Sequence, residues 1–199
     1  MNAAEHLEEV LAAGASRFAA TLAQFQAWHK NEGITERNLS LQAATAFLTV
    51  EQEGAALFEV PFRGTKDGRA DNHLDAYLFS PRIAYLVECK QLYSLEKLLS
   101  LAQDARRLDT ALHQDLSSRH RGASPAQAHP VVLADTWQTH VERWWVTGSD
   151  PACRWPRQEL PPNWSYGSIR VFSTGATSMG TLFWLYGIGP ALPALNASA

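Results

Sequence analysis

Asp75, Glu88 and Lys90 are the residues whose types and spacing could do chemistry together in this chain. They lie in the stretch Leu74-Asp75-Ala76-Tyr77-Leu78-Phe79, Ser80-Pro81-Arg82, Ile83-Ala84-Tyr85-Leu86-Val87-Glu88-Cys89-Lys90. Two runs rich in aliphatic, aromatic and β-branched residues flank a short segment centred on Pro, the pattern of two antiparallel strands joined by a turn. Pro81 cannot take the positive φ of a primed two-residue turn, so a four-residue connection from Ser80 to Ile83 is expected. A loop of that length sets Phe79 opposite Ala84, Tyr77 opposite Leu86 and Asp75 opposite Glu88. Opposed residues share a face with Cβ atoms about 5 Å apart, and side chains alternate along a strand. Asp75, Glu88 and Lys90 therefore gather on one face, and Val87 and Cys89 point to the other. Two carboxylates that close raise each other's pKa. A divalent cation removes the conflict: Mg²⁺ accepts one or two carboxylates and completes its shell with waters and phosphate oxygens. A lysine beside it can hold water against a scissile phosphate.

The elements that must position these groups are readable on both sides. Apolar residues at helical spacing predict a helix over residues 3–31, with Gly14 as a possible break, and a second over 36–51 that buries Leu39, Ala43, Phe47 and Val50. Leu57 to Phe62 alternates, which sets Phe58, Val60 and Phe62 on one face of a strand and Glu59 on the other. The connector from Arg63 to His73 holds two glycines and three bases, Arg63, Lys66 and Arg69, and leads into the strand of Asp75. Ser94 is a plausible cap for a helix from Leu95 to about Leu112, with Leu98, Ala102, Ala105, Leu108 and Leu112 as its buried stripe. Pro130 to Ala134 reads as the next strand, parallel to that of Glu88 because a helix crosses between them. A helix over 136–146, a proline-rich loop over 151–163 and two strands, 169–172 and 182–186, complete the reading.

The arrangement of Asp75, twelve intervening residues and then Glu88-Cys89-Lys90 at the end of an apolar strand resembles the PD-(D/E)XK nuclease superfamily. The likeness covers about residues 36–112 in the order helix, strand, Asp strand, E-x-K strand, helix. Leu74 stands where that pattern has Pro. The resemblance implies a restriction-endonuclease-like three-layer α/β fold, a central mixed sheet flanked by helices, and Mg²⁺- or Mn²⁺-dependent cleavage of phosphodiester bonds, most naturally in DNA. It further implies Asp75, Glu88 and the main-chain carbonyl of Cys89 as metal ligands and Lys90 as the catalytic lysine. An additional acid is expected from Glu36 or Glu59, with Glu36 equally accounted for by the dipole of the helix it opens and Glu59 by a solvent-facing strand position. Gln103, Arg107 and Arg69 are the candidates for contacting substrate. Ion pairing with Asp104 and Asp109 is the competing account of the helix bases. The alternative for the whole chain is a catalytically inactive domain of the same fold that binds protein or nucleic acid.

Composition narrows the setting. With 199 residues and 46% apolar content, a single domain is expected: a helical extension over 1–34, a core over 35–190 and a loose tail. The net charge of −3 argues against a protein that coats DNA, yet residues 63–121 carry ten bases against eight acids, so the basic excess surrounds the proposed site. Thirteen of the seventeen bases are Arg, suited to bidentate phosphate contacts. Two cysteines make no disulfide framework, which suggests a reduced, cytoplasmic setting. No run approaches the length of a membrane span. The scattered histidines make a zinc site improbable, and burial is the expected fate of the tryptophans. The amphipathic N-terminal helix suggests packing, a homodimer contact or a protein partner.

Overall fold

The computed structural model of the chain describes residues 2–24, 36–62, 72–122, 124–173 and 180–193. Its framework is one six-stranded mixed sheet. The strands are β1 (Ala55–Phe62), β2 (Asn72–Phe79), β3 (Ile83–Gln91), β4 (Gln127–Thr136), β5 (Ser165–Ser173) and β6 (Thr181–Ile188), in the order β1-β2-β3-β4-β6-β5. β1, β2 and β3 form an antiparallel meander, β3 and β4 run parallel, and β6 and β5 follow antiparallel. Parallel neighbours need a crossover. Here it is supplied by α3 (Leu95–Arg107) and α4 (Thr110–Ser117), and α5 (Thr139–Thr147) follows β4.

The hairpin has the expected register. Phe79 pairs with Ala84 and Tyr77 with Leu86, and the Ser80 N–H donates to the Ile83 carbonyl at 2.9 Å. The Ser80 hydroxyl in turn accepts from the Arg82 and Ile83 N–H groups, each at 3.3 Å, so the turn's own donors stay satisfied.

Each face of the sheet buries one apolar cluster. On one side Ala76, Leu78, Tyr85, Val87, Cys89, Val131, Leu133 and Trp184 pack against α1 (Ala3–Gln24) and α2 (Glu36–Val50). On the other, Leu74, Tyr77, Leu86, Val132, Ala134 and Leu185 pack against α3, α4 and α5. The apolar stripe of α1, including Leu7, Val10, Leu11 and Phe18, belongs to the first cluster. It is thus occupied by the sheet and is not free to bind a partner. Gly14 does not break α1; a Cβ there would come within 3.2 Å of both the Gln42 carbonyl oxygen and the Trp184 ring, so its bareness lets α1 lie close to α2 and β6. The start of α1 is also tied down by polar contacts. His6 Nε2 lies 2.9 Å from Glu51 at the end of α2, and the Tyr85 hydroxyl, which donates to the Ala3 carbonyl, lies 2.8 Å from His6 Nδ1. Arg82 of the hairpin turn closes on the same Glu51 carboxylate.

Trp184 is 1% exposed and stacks on Phe18 with ring centroids 5.8 Å apart. Trp184→Ala should therefore cost about 3–5 kcal/mol and lower the melting temperature by roughly 10 °C. Thermal denaturation followed by circular dichroism checks it; an unchanged melting temperature would mean that α1 does not pack as described.

Two expectations need correction, and a third is seen only in part. The helix expected to reach Leu112 stops at Arg107, and a new one starts behind Asp109, whose carboxylate accepts from the Leu112 N–H at 3.0 Å. The apolar stripe runs through both helices and so hides the break. Phe58 does not share a face with Val60 and Phe62: it is 43% exposed, while those two are buried. Glu59, with φ at 49°, sits between them in the left-handed region, and the inward-outward alternation switches there. The N-terminal helix is seen as Ala3–Gln24, and the remainder of its expected span lies outside the described residues.

Candidate functional site

The ladder between β2 and β3 ends at the pair Ala76 and Val87, one step short of Asp75 and Glu88. Past that point the Asp75 carboxylate takes the place of a main-chain acceptor: its Oδ2 receives the Cys89 N–H at 2.7 Å. A strand residue points its N–H and C=O to the same edge, so the Cys89 carbonyl is directed to the β2 side as well. Glu88 and Lys90 share the face of Leu86 and look toward α3, whereas Cys89 is buried in the cluster on the opposite face. Asp75, Glu88 and Lys90 thus act on one another as expected, although Asp75 and Glu88 are joined through their side chains and not as the ladder pair the expected register gave.

Charge is unevenly compensated here. Glu88 is 2% exposed, and its Oε1 is buried without a hydrogen-bond partner. Burial, then the charges of Asp75 and Asp104, push its pKa up to about 9. Burial also lifts Asp75 above the ordinary carboxylate range, against the pull of the Cys89 N–H and of Lys90. For Lys90, burial works against the charge, yet Asp104, Glu36 and Asp75 outweigh it and hold the ammonium above its usual pKa. Its Nζ lies 3.2 Å from Asp104 Oδ2. Arg107, one helical turn further along α3, pairs with Asp104 Oδ1 and approaches Glu88 Oε1 at 3.6 Å.

The other expected residues divide. Glu36 reaches the site across the strand ends: its Oε1 accepts from the Gln91 N–H at 3.3 Å and lies 3.6 Å from Lys97 Nζ. Glu59 does not reach it. Glu59 and Asp75 fall between the pairs Phe58–Ala76 and Val60–Leu74 and are not themselves a pair, and the switch in alternation leaves the Glu59 side chain 57% exposed, 3.9 Å from Arg37. Gln103 is exposed on α3 and is not brought to the site; its neighbour Asp104 is. Arg69 lies outside the described residues, with the rest of the connector 63–71.

Two further acids lie here: Asp104, expected only as an ion-pair partner of the helix bases, which it is for Arg107, and Asp135, which the sequence did not mark. Asp104 is 7% exposed and bridges Lys90 and Arg107. The signal was present, since residues 101, 104 and 108 recur at the helical spacing of a buried stripe. Asp135 ends β4 beside Gln91 on the face of Cys89, and burial, with Glu36 nearby, pushes its pKa up to about 7.

The donor set suits a hard divalent cation. A buried carboxylate oxygen without a donor is costly unless it is protonated or meets positive charge. Asp75, Glu88 and the Cys89 carbonyl offer oxygen ligands only, which is Mg²⁺ or Mn²⁺ chemistry. Among the described residues no three His, Cys, Asp or Glu side chains form a ready metal group. A cation here would keep a sparse protein shell of two carboxylates and main chain, as Mg²⁺ commonly does. No helix of the described residues is long and apolar enough to cross a membrane. No protein-family model matches the chain, and neither a curated protein nor a solved structure does.

Proposed function

We propose that this chain is a metal-dependent nuclease of the PD-(D/E)XK type that hydrolyses phosphodiester bonds in DNA. The observation that carries the reading is the geometry at the end of the β2–β3 ladder. Asp75 leaves the ladder to cap Cys89 beside a buried Glu88 oxygen that has no donor, with Lys90 next along the same face. The order of elements adds weight: α2, β1, the Asp75 strand, the Glu88 strand, then a helix and a parallel strand, with helices on both faces of a mixed sheet, fit a restriction-endonuclease-like core.

Asp75, Glu88 and the Cys89 carbonyl would hold Mg²⁺ or Mn²⁺, with Glu36 supporting from the strand ends. The cation would supply Lewis-acid stabilisation of the charge that develops on the phosphate. Lys90 keeps an ammonium beside the carboxylates, where it can orient water for attack and offset the negative charge of the nucleophile. Arg107 is 37% exposed in its side chain and presents a guanidinium from α3 that can meet a substrate phosphate. Cys89 and Cys153 are both free thiols, in keeping with a reduced cytoplasmic setting.

A second reading is a binding module of the same fold without turnover. The contacts of Lys90 and Arg107 with Asp104 and Glu88 favour it, because bases of the chain already supply part of the positive charge that a metal would bring. The two readings separate on metal. Purified protein should cleave linear, circular or single-stranded DNA with Mg²⁺ or Mn²⁺, lose activity in chelator, and gain melting temperature on adding Mn²⁺; Asp75→Ala should lose both activity and gain. A wild-type protein that neither cleaves nor is stabilised by metal leaves the binding module standing. RNA in place of DNA tests the substrate.

A further inference from the structure

Asp104 gives its two carboxylate oxygens to two different cations. Oδ2 lies 3.2 Å from Lys90 Nζ on β3, and Oδ1 accepts from the Arg107 guanidinium on α3. The residue is 7% exposed and belongs to the buried side of α3, so its position is set by the packing of Leu101 and Leu108 on either side of it. One fixed carboxylate therefore decides where both positive groups stand relative to the Asp75 and Glu88 pair.

We propose that Asp104 is a positioning residue that holds the Lys90 amine off the two acids meant for the metal. The proposal rests on the nuclease reading. A lysine carries its charge on a flexible four-carbon stem with freely rotating donors. Without Asp104, the acids left acting on Lys90 are Glu36 and Asp75, and Arg107 already stands 3.6 Å from Glu88. With Asp104 present, the Lys90 amine has a carboxylate oxygen 3.2 Å away on α3 to hold it there. Without it the amine would be released toward the acid pair and would stand in the cation's place. Glu36 also faces Lys90, at the same end of β3, where it is engaged by Lys97 and the Gln91 N–H.

A double-mutant cycle on the full chain tests this. Asp104→Asn should weaken Mn²⁺ binding by calorimetry roughly tenfold, the size expected when a partner of a metal site's neighbours is lost. It should lower kcat by at least as much. Asp104→Glu should restore part of both. The deciding arm is the background: in Lys90→Met, which has no amine to collapse, the same Asp104→Asn change should leave Mn²⁺ affinity nearly unaltered. An equal loss in both backgrounds would mean that Asp104 acts only by its charge through space. A fall in melting temperature with metal affinity and kcat intact would mean that it merely ties α3 to the sheet. Either result overturns the proposal while sparing the nuclease reading. A wild-type protein that binds no Mn²⁺ overturns both.

Discussion

Glu88→Gln should abolish Mn²⁺ binding and DNA cleavage and yet leave the metal-free protein more stable than wild type at pH 8. The two effects have one cause. Glu88 is buried beside Asp75 and Asp104, and its pKa in the folded chain is pushed up to about 9 from 4.5. A group whose folded pKa is raised contributes stability that is present in full below its unfolded pKa and is lost as pH rises through the folded value. Over the window from about 4.5 to 9 the wild type must either keep a proton that free carboxylates would have released or hold an uncompensated buried charge. Arg107 relieves little of this, because it lies at 3.6 Å on a partly exposed side chain. Glutamine fills the same volume and stays neutral. The gain should be nil near pH 4, where wild-type Glu88 is protonated in both states, and should grow to roughly 1–3 kcal/mol by pH 8. Urea denaturation at the two pH values measures it. For the same reason Mn²⁺ affinity of the wild type should rise with pH below about 9, since the proton must leave before the carboxylate can act as a ligand. Cleavage by Glu88→Gln should fall more than about 10³-fold, the scale of removing a group on which transition-state stabilisation depends. If the substitution destabilises the protein at pH 8, Glu88 is an ionised partner of Arg107, and the metal reading fails.

The hairpin that sets this geometry was legible because two independent constraints agree on it. Pro81 limits the turn and so fixes the loop length, and period-two alternation fixes which side chains share a face; a slip of one residue would have sent Glu88 into the apolar cluster that Cys89 occupies. What could not be read depends on backbone irregularity or on small rotations. Glu59 and Glu36 were equivalent in sequence, and only a positive φ at Glu59, which pattern does not encode, turns the strand so that its carboxylate points away. On α3 the expectation named Gln103 where the structure uses Asp104. Adjacent helix positions differ by about 100°, enough to exchange an exposed residue for a buried one. The helix break at Asp109 was concealed by apolar spacing that continues through both helices, although an Asp followed three residues later by an apolar position is a cap that sequence can offer. Asp135 escaped notice because a lone acid at the end of a buried strand has no pattern to mark it.

Lys90→Met should separate chemistry from assembly. The substitution keeps an unbranched apolar stem and deletes the ammonium, so packing around a side chain that is 18% exposed changes little. Turnover should drop on the order of 10²–10³-fold, while Mn²⁺ affinity should stay level or rise. The direction follows from charge: the amine stands among Asp75, Asp104 and Glu36, and removing it leaves the same acids with less compensation for an incoming cation. Lys90→Arg should fail to restore turnover, because a planar guanidinium cannot occupy the position of a compact ammonium between Asp104 and the acid pair. Calorimetry with Mn²⁺ and single-turnover cleavage at saturating metal measure the two quantities separately. Loss of metal binding together with turnover would show that Lys90 serves the fold of the site. Unimpaired cleavage would remove the lysine from the mechanism and leave Asp75 and Glu88 to act with Arg107 alone.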